Sequence, residues 1–278
     1  MPIHPVLSVA SFLNHLDKPH KFCLVGYGLS AECQMPHFRD IQQGVWSGPP
    51  NRIDPFHSAE HAKIVRDWFE WRKATIRKRR DAPAYQTLAR LQKVLRLQVA
   101  TQCVDGLAGF NGVENVSERY GNVFAARCRQ CGHGWIADPV AQQPEQCPHC
   151  AGDIWPDVAM FGWNPQENAG SRRGYRLPAN SLLLLIGDEL DLAPHPDMLA
   201  GDMKGCSIIR VSADGFFVTD DDARSHLPSK EIEREMEKHP GPSHVPKLPD
   251  QNSLYRSLLS LLWLLEHLKA TGSVATPD

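Results

Sequence analysis

Cys128, Cys131, Cys147 and Cys150 form two C-x2-C pairs with fifteen residues between them. Each pair presents two thiolates on one side of a tight loop, and two such loops close a tetrahedron around Zn2+. With all four corners filled by protein, no position is left for water or substrate, so the expected metal is structural. His133 and His149 stand beside the knuckles and are alternative ligands, but the four thiolates already suffice. Zinc ribbons occur on many folds, so the motif identifies a metal and not an activity.

Several apolar runs end in small or polar residues and read as buried strands. Residues 22–25 lead into Gly26-Tyr27-Gly28, residues 94–99 into Thr101-Gln102-Cys103-Val104-Asp105, and residues 181–186 into Gly187. The last of these is apolar from residue 182 to its end, as a strand covered on both faces would be. Residues 206–212 are a weaker fourth strand, and helices are expected over 59–80 and 83–91. Strands separated by helices imply an α/β fold built on a parallel sheet, with ligands at the carboxyl ends of the strands.

The cysteine segment, residues 127–161, interrupts that alternation as an inserted zinc-ribbon module. Residues 1–126 and 162–220 then form one Rossmann-like domain, with a helical insertion over about residues 41–92. Past residue 220 a mixed-charge helix (230–238) is expected, then a linker marked by Pro240, Pro242, Pro246 and Pro249. A leucine-rich helix over 253–269 is apolar on nearly every face and must be buried. It is expected to dock on the sheet domain, with a dimer contact as the alternative.

A formal net charge of −2 over 278 residues gives no long-range attraction to nucleic acid or an anionic membrane. Cys23, Cys33, Cys103 and Cys206 are scattered and suggest no disulfide framework. Together with a thiolate metal site this suits a reducing cytoplasm. The first thirty residues lack a signal-peptide pattern, and the longest apolar runs are far too short to span a bilayer. The basic run Arg72-Lys73, then Arg77-Lys78-Arg79-Arg80, reads as a solvated helix face, with a patch for nucleic acid or an acidic partner as the alternative. Trp46, Trp68, Trp71 and Trp163 are core residues or the lining of a peptide groove.

The order of these motifs resembles the sirtuin family, NAD-dependent protein deacylases and ADP-ribosyltransferases. The resemblance rests on Gly26-Tyr27-Gly28-Leu29-Ser30, on Pro36-His37-Phe38-Arg39-Asp40 and on Thr101-Gln102-Cys103-Val104-Asp105-Gly106-Leu107. It continues through Glu118-Arg119-Tyr120-Gly121-Asn122, the cysteine pairs, Pro156 to Gly162, and Ile186-Gly187-Asp188-Glu189 with Pro194. It implies a cleft for NAD and an acyl-lysine peptide between a Rossmann-like domain and a zinc ribbon. Asp105, with Gln102 beside it, would grip the nicotinamide carboxamide. Phe38 would cover the reacting face, and Arg39 would order the loop over the cofactor. Gly26, Gly28 and Ser30 would let backbone amides approach the pyrophosphate.

The departures from the family pattern fall in the same cleft. Tyr120 stands where the family has its histidine base, and a phenol is a poor proton acceptor near neutral pH. Cys103 replaces an asparagine, either as a small core residue or as an unusual nucleophile. Tyr27 brings bulk between the turn glycines. Asp188 and Glu189 replace a Thr-Ser pair, where a carboxylate would repel phosphate or accept ribose hydroxyls. Ser212 stands where an asparagine often meets the adenosine ribose. Two functions follow: a nicotinamide-releasing transferase with weakened or altered chemistry, or a non-catalytic NAD or ADP-ribose sensor or scaffold.

Overall fold

The computed structural model describes residues 6–36, 57–136, 144, 146–159, 177–187, 205–219, 224–238 and 253–270. Helix α1 (Val9–Leu16) starts at Ser8, whose hydroxyl accepts the Ser11 amide at 3.1 Å, an N-cap that satisfies one orphan donor. Strand β1 (His20–Val25) follows, with four consecutive buried residues at its end. Gly26 then caps the short helix α2 (Tyr27–Glu32).

Helix α3 (Ala59–Lys78) begins at Ser58, which accepts the His61 amide. Helix α4 (Pro83–Leu95) opens with proline at its first turn, where no amide is needed. It runs four residues beyond its expected end at 91. Leu88, Leu91 and Leu95 share one buried helical face, so the end of the helix takes the first part of the run expected as a strand. Arg96 ends it in the left-handed region (φ 58°) with its amide on the Gln92 carbonyl. The strand proper, β2, is Gln98–Thr101.

After the turn α5 (Leu107–Phe110) come the edge strand β3 (Ser117–Glu118) and then β4 (Gly121–Cys128), β5 (Gly134–Ile136) and β6 (Ile154–Val158). The remaining elements are β7 (Ser181–Ile186), β8 (Ser207–Ser212), β9 (Gly215–Thr219), β10 (Arg224–Pro228), α6 (Ser229–Lys238) and α7 (Leu254–Ala270). The main sheet has the order β10-β9-β8-β7-β1-β2-β3. From β8 to β3 all neighbouring strands are parallel, the expected α/β arrangement. Strand order reverses between β1 and β7, which places the crevice of a doubly wound sheet at their carboxyl ends.

Three strands of the main sheet escaped the sequence reading, the two-residue edge strand β3 and the pair β9 and β10. β9 and β10 extend the sheet as an antiparallel meander from β8, so the segment expected as linker from 221 opens with a sheet strand. The β8–β9 turn is short, and a five-residue strand shows too little periodicity to be seen alone. β4, β5 and β6 form a separate antiparallel sheet that carries the cysteines. α7 is buried along most of its length, against α4, α2, α6 and β8 of the same chain. Arg90 on α4 reaches Glu266 on α7 through both carboxylate oxygens, at 2.7 and 2.6 Å. No helix among the described residues is long and apolar enough to cross a membrane.

Candidate functional site

The carboxyl ends of β1 and β7 touch. The Gly26 amide donates to the Ile186 carbonyl at 2.9 Å, and Gln102, just past β2, donates its amide to the Val25 carbonyl at 2.9 Å. Gly187 has φ +123°, and a Cβ there would lie 3.3 Å from the Gly28 amide nitrogen and 3.6 Å from Gly26. Glycine is therefore required twice over, for the backbone conformation and for the close approach. Three separate stretches of sequence, around Gly26–Gly28, Gln102 and Gly187, meet within one backbone-lined corner.

Behind this corner lies a buried polar cluster. Ser30 on α2 is wholly buried and Asp105 nearly so. The Ser30 hydroxyl donates to Asp105 Oδ2 at 2.7 Å, while Oδ1 accepts the Leu107 amide at 3.0 Å. The Cys103 amide rests on Thr101 Oγ1 at 3.0 Å, and its thiol faces Ser30 Oγ at 3.1 Å and the Gly26 carbonyl at 3.4 Å. Burial pushes the Cys103 thiol up to about 12, and the charge of Asp105 adds to the shift. Burial and a raised pKa both disfavour the thiolate that a nucleophile needs. Ser30 turns its side chain inward to Asp105, so only its backbone is offered toward the glycine turn.

Tyr120 follows the edge strand β3, whose Glu118 pairs in register with Thr101. Its side chain is 37% exposed, while its carbonyl accepts the Ala159 amide at 2.8 Å and so joins the metal lobe to the edge of the main sheet. Asn122 bridges Glu118 Oε1 (2.7 Å) and the Phe124 amide (2.9 Å) and packs against Gly106. Glu118 is pushed up to about 7, mainly by burial; the Asn122 bond opposes this and the nearby Asp105 charge reinforces it.

Arg72 on α3 enters the same region. It is 5% exposed, donates from Nη1 to the Pro36 carbonyl at 2.6 Å, and lies 5.3 Å from the Trp68 ring. Burial pulls its guanidinium below the ordinary range, while the charge of Asp105 opposes that shift. Its Nε has no hydrogen-bond partner among the described residues. Tyr27 donates its phenol to the Met35 carbonyl, which ties α2 to the chain just before Pro36. The sequence placed Arg72 and Lys73 in a solvated basic run; α3 instead turns both inward, at 5% and 3% exposure, and brings the Arg72 charge within electrostatic reach of Asp105.

The remaining expected residues divide between the two lobes. Ser212 spends its hydroxyl in the β8–β9 turn, accepting the Asp214 amide at 3.2 Å and facing the Gly215 carbonyl at 3.3 Å. Phe38, Arg39 and Asp188 lie outside the described residues, as do Trp46 and Trp163. The four sulfurs of Cys128, Cys131, Cys147 and Cys150 lie within 4.8 Å of one another, with Cys128–Cys150 at 3.5 Å and Cys131–Cys147 at 3.7 Å. A tetrahedral zinc with bonds of about 2.3 Å separates its sulfurs by about 3.8 Å, so the donor set fits that ion. The Gln130 and Cys131 amides point at Cys128 Sγ (3.4 and 3.5 Å), donors that suit the thiolate a metal needs. His133 and His149 stack on each other at 3.9 Å beside the knuckles.

A family model described as "Sir2 family" matches residues 26–194. The chain is 34% identical over 199 residues to an NAD-dependent protein deacylase of Aeropyrum pernix, covering 67% of this chain and 78% of the relative. A Thermus thermophilus protein of the same description is 30% identical over 178 residues, covering 62% and 70%. Among solved structures, a Sir2 homologue in complex with ADP-ribose superposes with TM-score 0.64 at 21% identity, covering 98% of this chain and 100% of that one. A Sir2 homologue–NAD complex gives TM-score 0.61 at 20% identity, covering 97% of each chain. At such identities the likeness establishes the fold.

Proposed function

The chain belongs to the Sir2 family, and from that premise we propose that it binds NAD at the β1–β7 corner and releases nicotinamide, passing ADP-ribose to an acyl-lysine peptide or another protein side chain. The observation that carries this reading is the meeting of Gly26, Gly28 and Gly187 in front of the buried Ser30–Asp105 pair. Side chains absent at three glycines leave room for a pyrophosphate against backbone amides. NAD, when bound, supplies an ADP-ribosyl group that nicotinamide activates by being a good leaving group.

The chain's own residues have separable tasks in this reading. Asp105, fixed through both oxygens, presents its remaining lone pairs to the carboxamide N–H. Gln102 begins the loop that carries it. Arg72 places a buried positive charge near Asp105, which offsets the cost of enclosing a carboxylate. Zinc on the four cysteines holds the β4–β6 lobe as one wall of the cleft and takes no part in the chemistry. We propose a cytoplasmic location, on the strength of the four-thiolate cluster, which needs a reducing compartment.

A second reading is a sensor that binds NAD or ADP-ribose without turnover. It is supported by Tyr120 at the base position and by the buried Cys103 where the family has an asparagine. A nicotinamide-release assay with acylated peptides separates the two. Turnover that disappears in Asp105→Ala supports the enzyme; NAD binding by calorimetry without nicotinamide release supports the sensor. If neither NAD nor ADP-ribose binds, both readings fail.

A further inference from the structure

Tyr85 belongs to none of the motifs that mark the site, yet its phenol lies in the polar cluster behind it. It sits on the inner face of α4, is wholly buried, and places its hydroxyl 2.9 Å from Ser30 Oγ. The Ser30 oxygen therefore has three neighbours: the Tyr85 phenol, Cys103 Sγ at 3.1 Å and Asp105 Oδ2 at 2.7 Å. A serine hydroxyl has one proton to give and two lone pairs to receive with. The carboxylate oxygen is both the nearest and the strongest acceptor, so the serine proton goes to Asp105. The phenol must then donate to serine. Cys103 Sγ is also in reach of the phenol, but thiol sulfur is a weak acceptor and oxygen wins.

We propose that Tyr85 is a positioning residue of the cofactor site, the first donor in a one-way chain from Tyr85 to Ser30 to Asp105 that aims the Asp105 carboxylate at the nicotinamide carboxamide. The chain matters here because the neighbouring residue is a cysteine. Its thiol is a weak donor directed at the Gly26 carbonyl, so the cluster lacks the strong amide donor that an asparagine would bring. The phenol on α4 supplies a donor from the opposite side. Without it, Ser30 is free to turn its proton toward Cys103 or hold it poorly on Asp105, and the carboxylate keeps only the Leu107 amide as a fixed partner.

This inference rests on the proposed NAD site and makes a demand that a merely structural tyrosine does not. The relay acts through Asp105 on the carboxamide, a group present in NAD and absent from ADP-ribose. Calorimetric titration of the zinc-loaded protein with both ligands is the test. Tyr85→Phe should weaken NAD binding about three- to tenfold, the range of one neutral hydrogen bond, and leave ADP-ribose affinity unchanged. Ser30→Ala should lose at least as much for NAD, and the double variant should be no worse than Ser30→Ala alone, because both changes cut one chain.

Equal losses for the two ligands, unchanged NAD affinity, or additive effects in the double variant would overturn the relay while leaving the proposed function standing. A wild-type protein that binds neither ligand overturns both. If Tyr85→Phe does not fold, Tyr85→Met, which also removes the phenol donor, carries the same comparison: selective loss of NAD supports the relay, and equal loss of both ligands refutes it.

Discussion

Gly187 and Gly28 stand so close that a single added Cβ on Gly187 would press to 3.3 Å against the Gly28 amide nitrogen. They are 159 residues apart in sequence, and the parallel pairing of β1 with β7 brings them together. The amide so approached belongs to the turn expected to receive the cofactor's phosphates. Room at Gly187 and access to that turn are one geometric fact.

Gly187→Ala should therefore affect both stability and binding. The backbone conformation at φ +123° costs a non-glycine residue about 1–3 kcal/mol, read as a lowered melting temperature. Displacement of Gly28 should weaken NAD and ADP-ribose alike, by about tenfold for each ~1.4 kcal/mol lost. Unchanged affinity for both in calorimetry would separate this corner from the ligand.

Removal of the metal should undo the small sheet first. Cys128→Ser or Cys147→Ser is expected to lose zinc in elemental analysis, together with the order of β4–β6. Structural zinc in isolated peptides contributes about 10–16 kcal/mol of apparent binding free energy. The main sheet has its own core, so melting should broaden or split instead of vanishing. Full zinc content in the Cys128→Ser variant would contradict the four-thiolate site.

Restoration of the family residues tests why the cleft departs from its relatives. Tyr120→His with Cys103→Asn should raise peptide deacylation by up to about 10²–10⁴-fold, the usual contribution of a positioned general base. Nicotinamide release and deacylation, measured together, report the two halves of the reaction. No gain in either, with NAD still bound, would mean that these two positions are not what limits the site.

Glu118 gives a pH signature of definite sign. Its folded pKa is raised from 4.5 to about 7 by burial, so the folded chain holds a proton that the unfolded chain releases between those values. Stability from this group is full below about pH 4.5 and declines as pH rises toward 7, by up to about 3 kcal/mol. Glu118→Gln keeps the Asn122 bond and removes the titration. Denaturation at pH 5 and pH 7.5 should show the variant gaining on the wild type at the higher pH; parallel changes would place Glu118 in water.

The metal site was legible in the sequence because its ligands are local. Two C-x2-C turns contain their own geometry, and the fold had only to bring one to the other. The order of strands and helices was legible for a similar reason: continuous apolar runs and glycine turns report burial and chain reversal without reference to distant residues. Where local signal was short or shared the reading slipped, as at Val94 and Leu95, which continue the apolar face of α4, and at β9 and β10.

What the sequence determined by itself was the class of fold, the structural metal and the family, since each is written in residues near one another in the chain. Only the tertiary structure decided which way each side chain in the cleft is turned. Ser30 faces Asp105 and not the solvent, Cys103 is buried, Arg72 turns inward from a helix face that read as solvated, and Tyr85 arrives from α4 without any motif to announce it. The physical reason is that a hydrogen bond or buried charge depends on distances of a few ångströms between segments far apart in the chain, and those distances exist only once the sheet has closed the segments on one another.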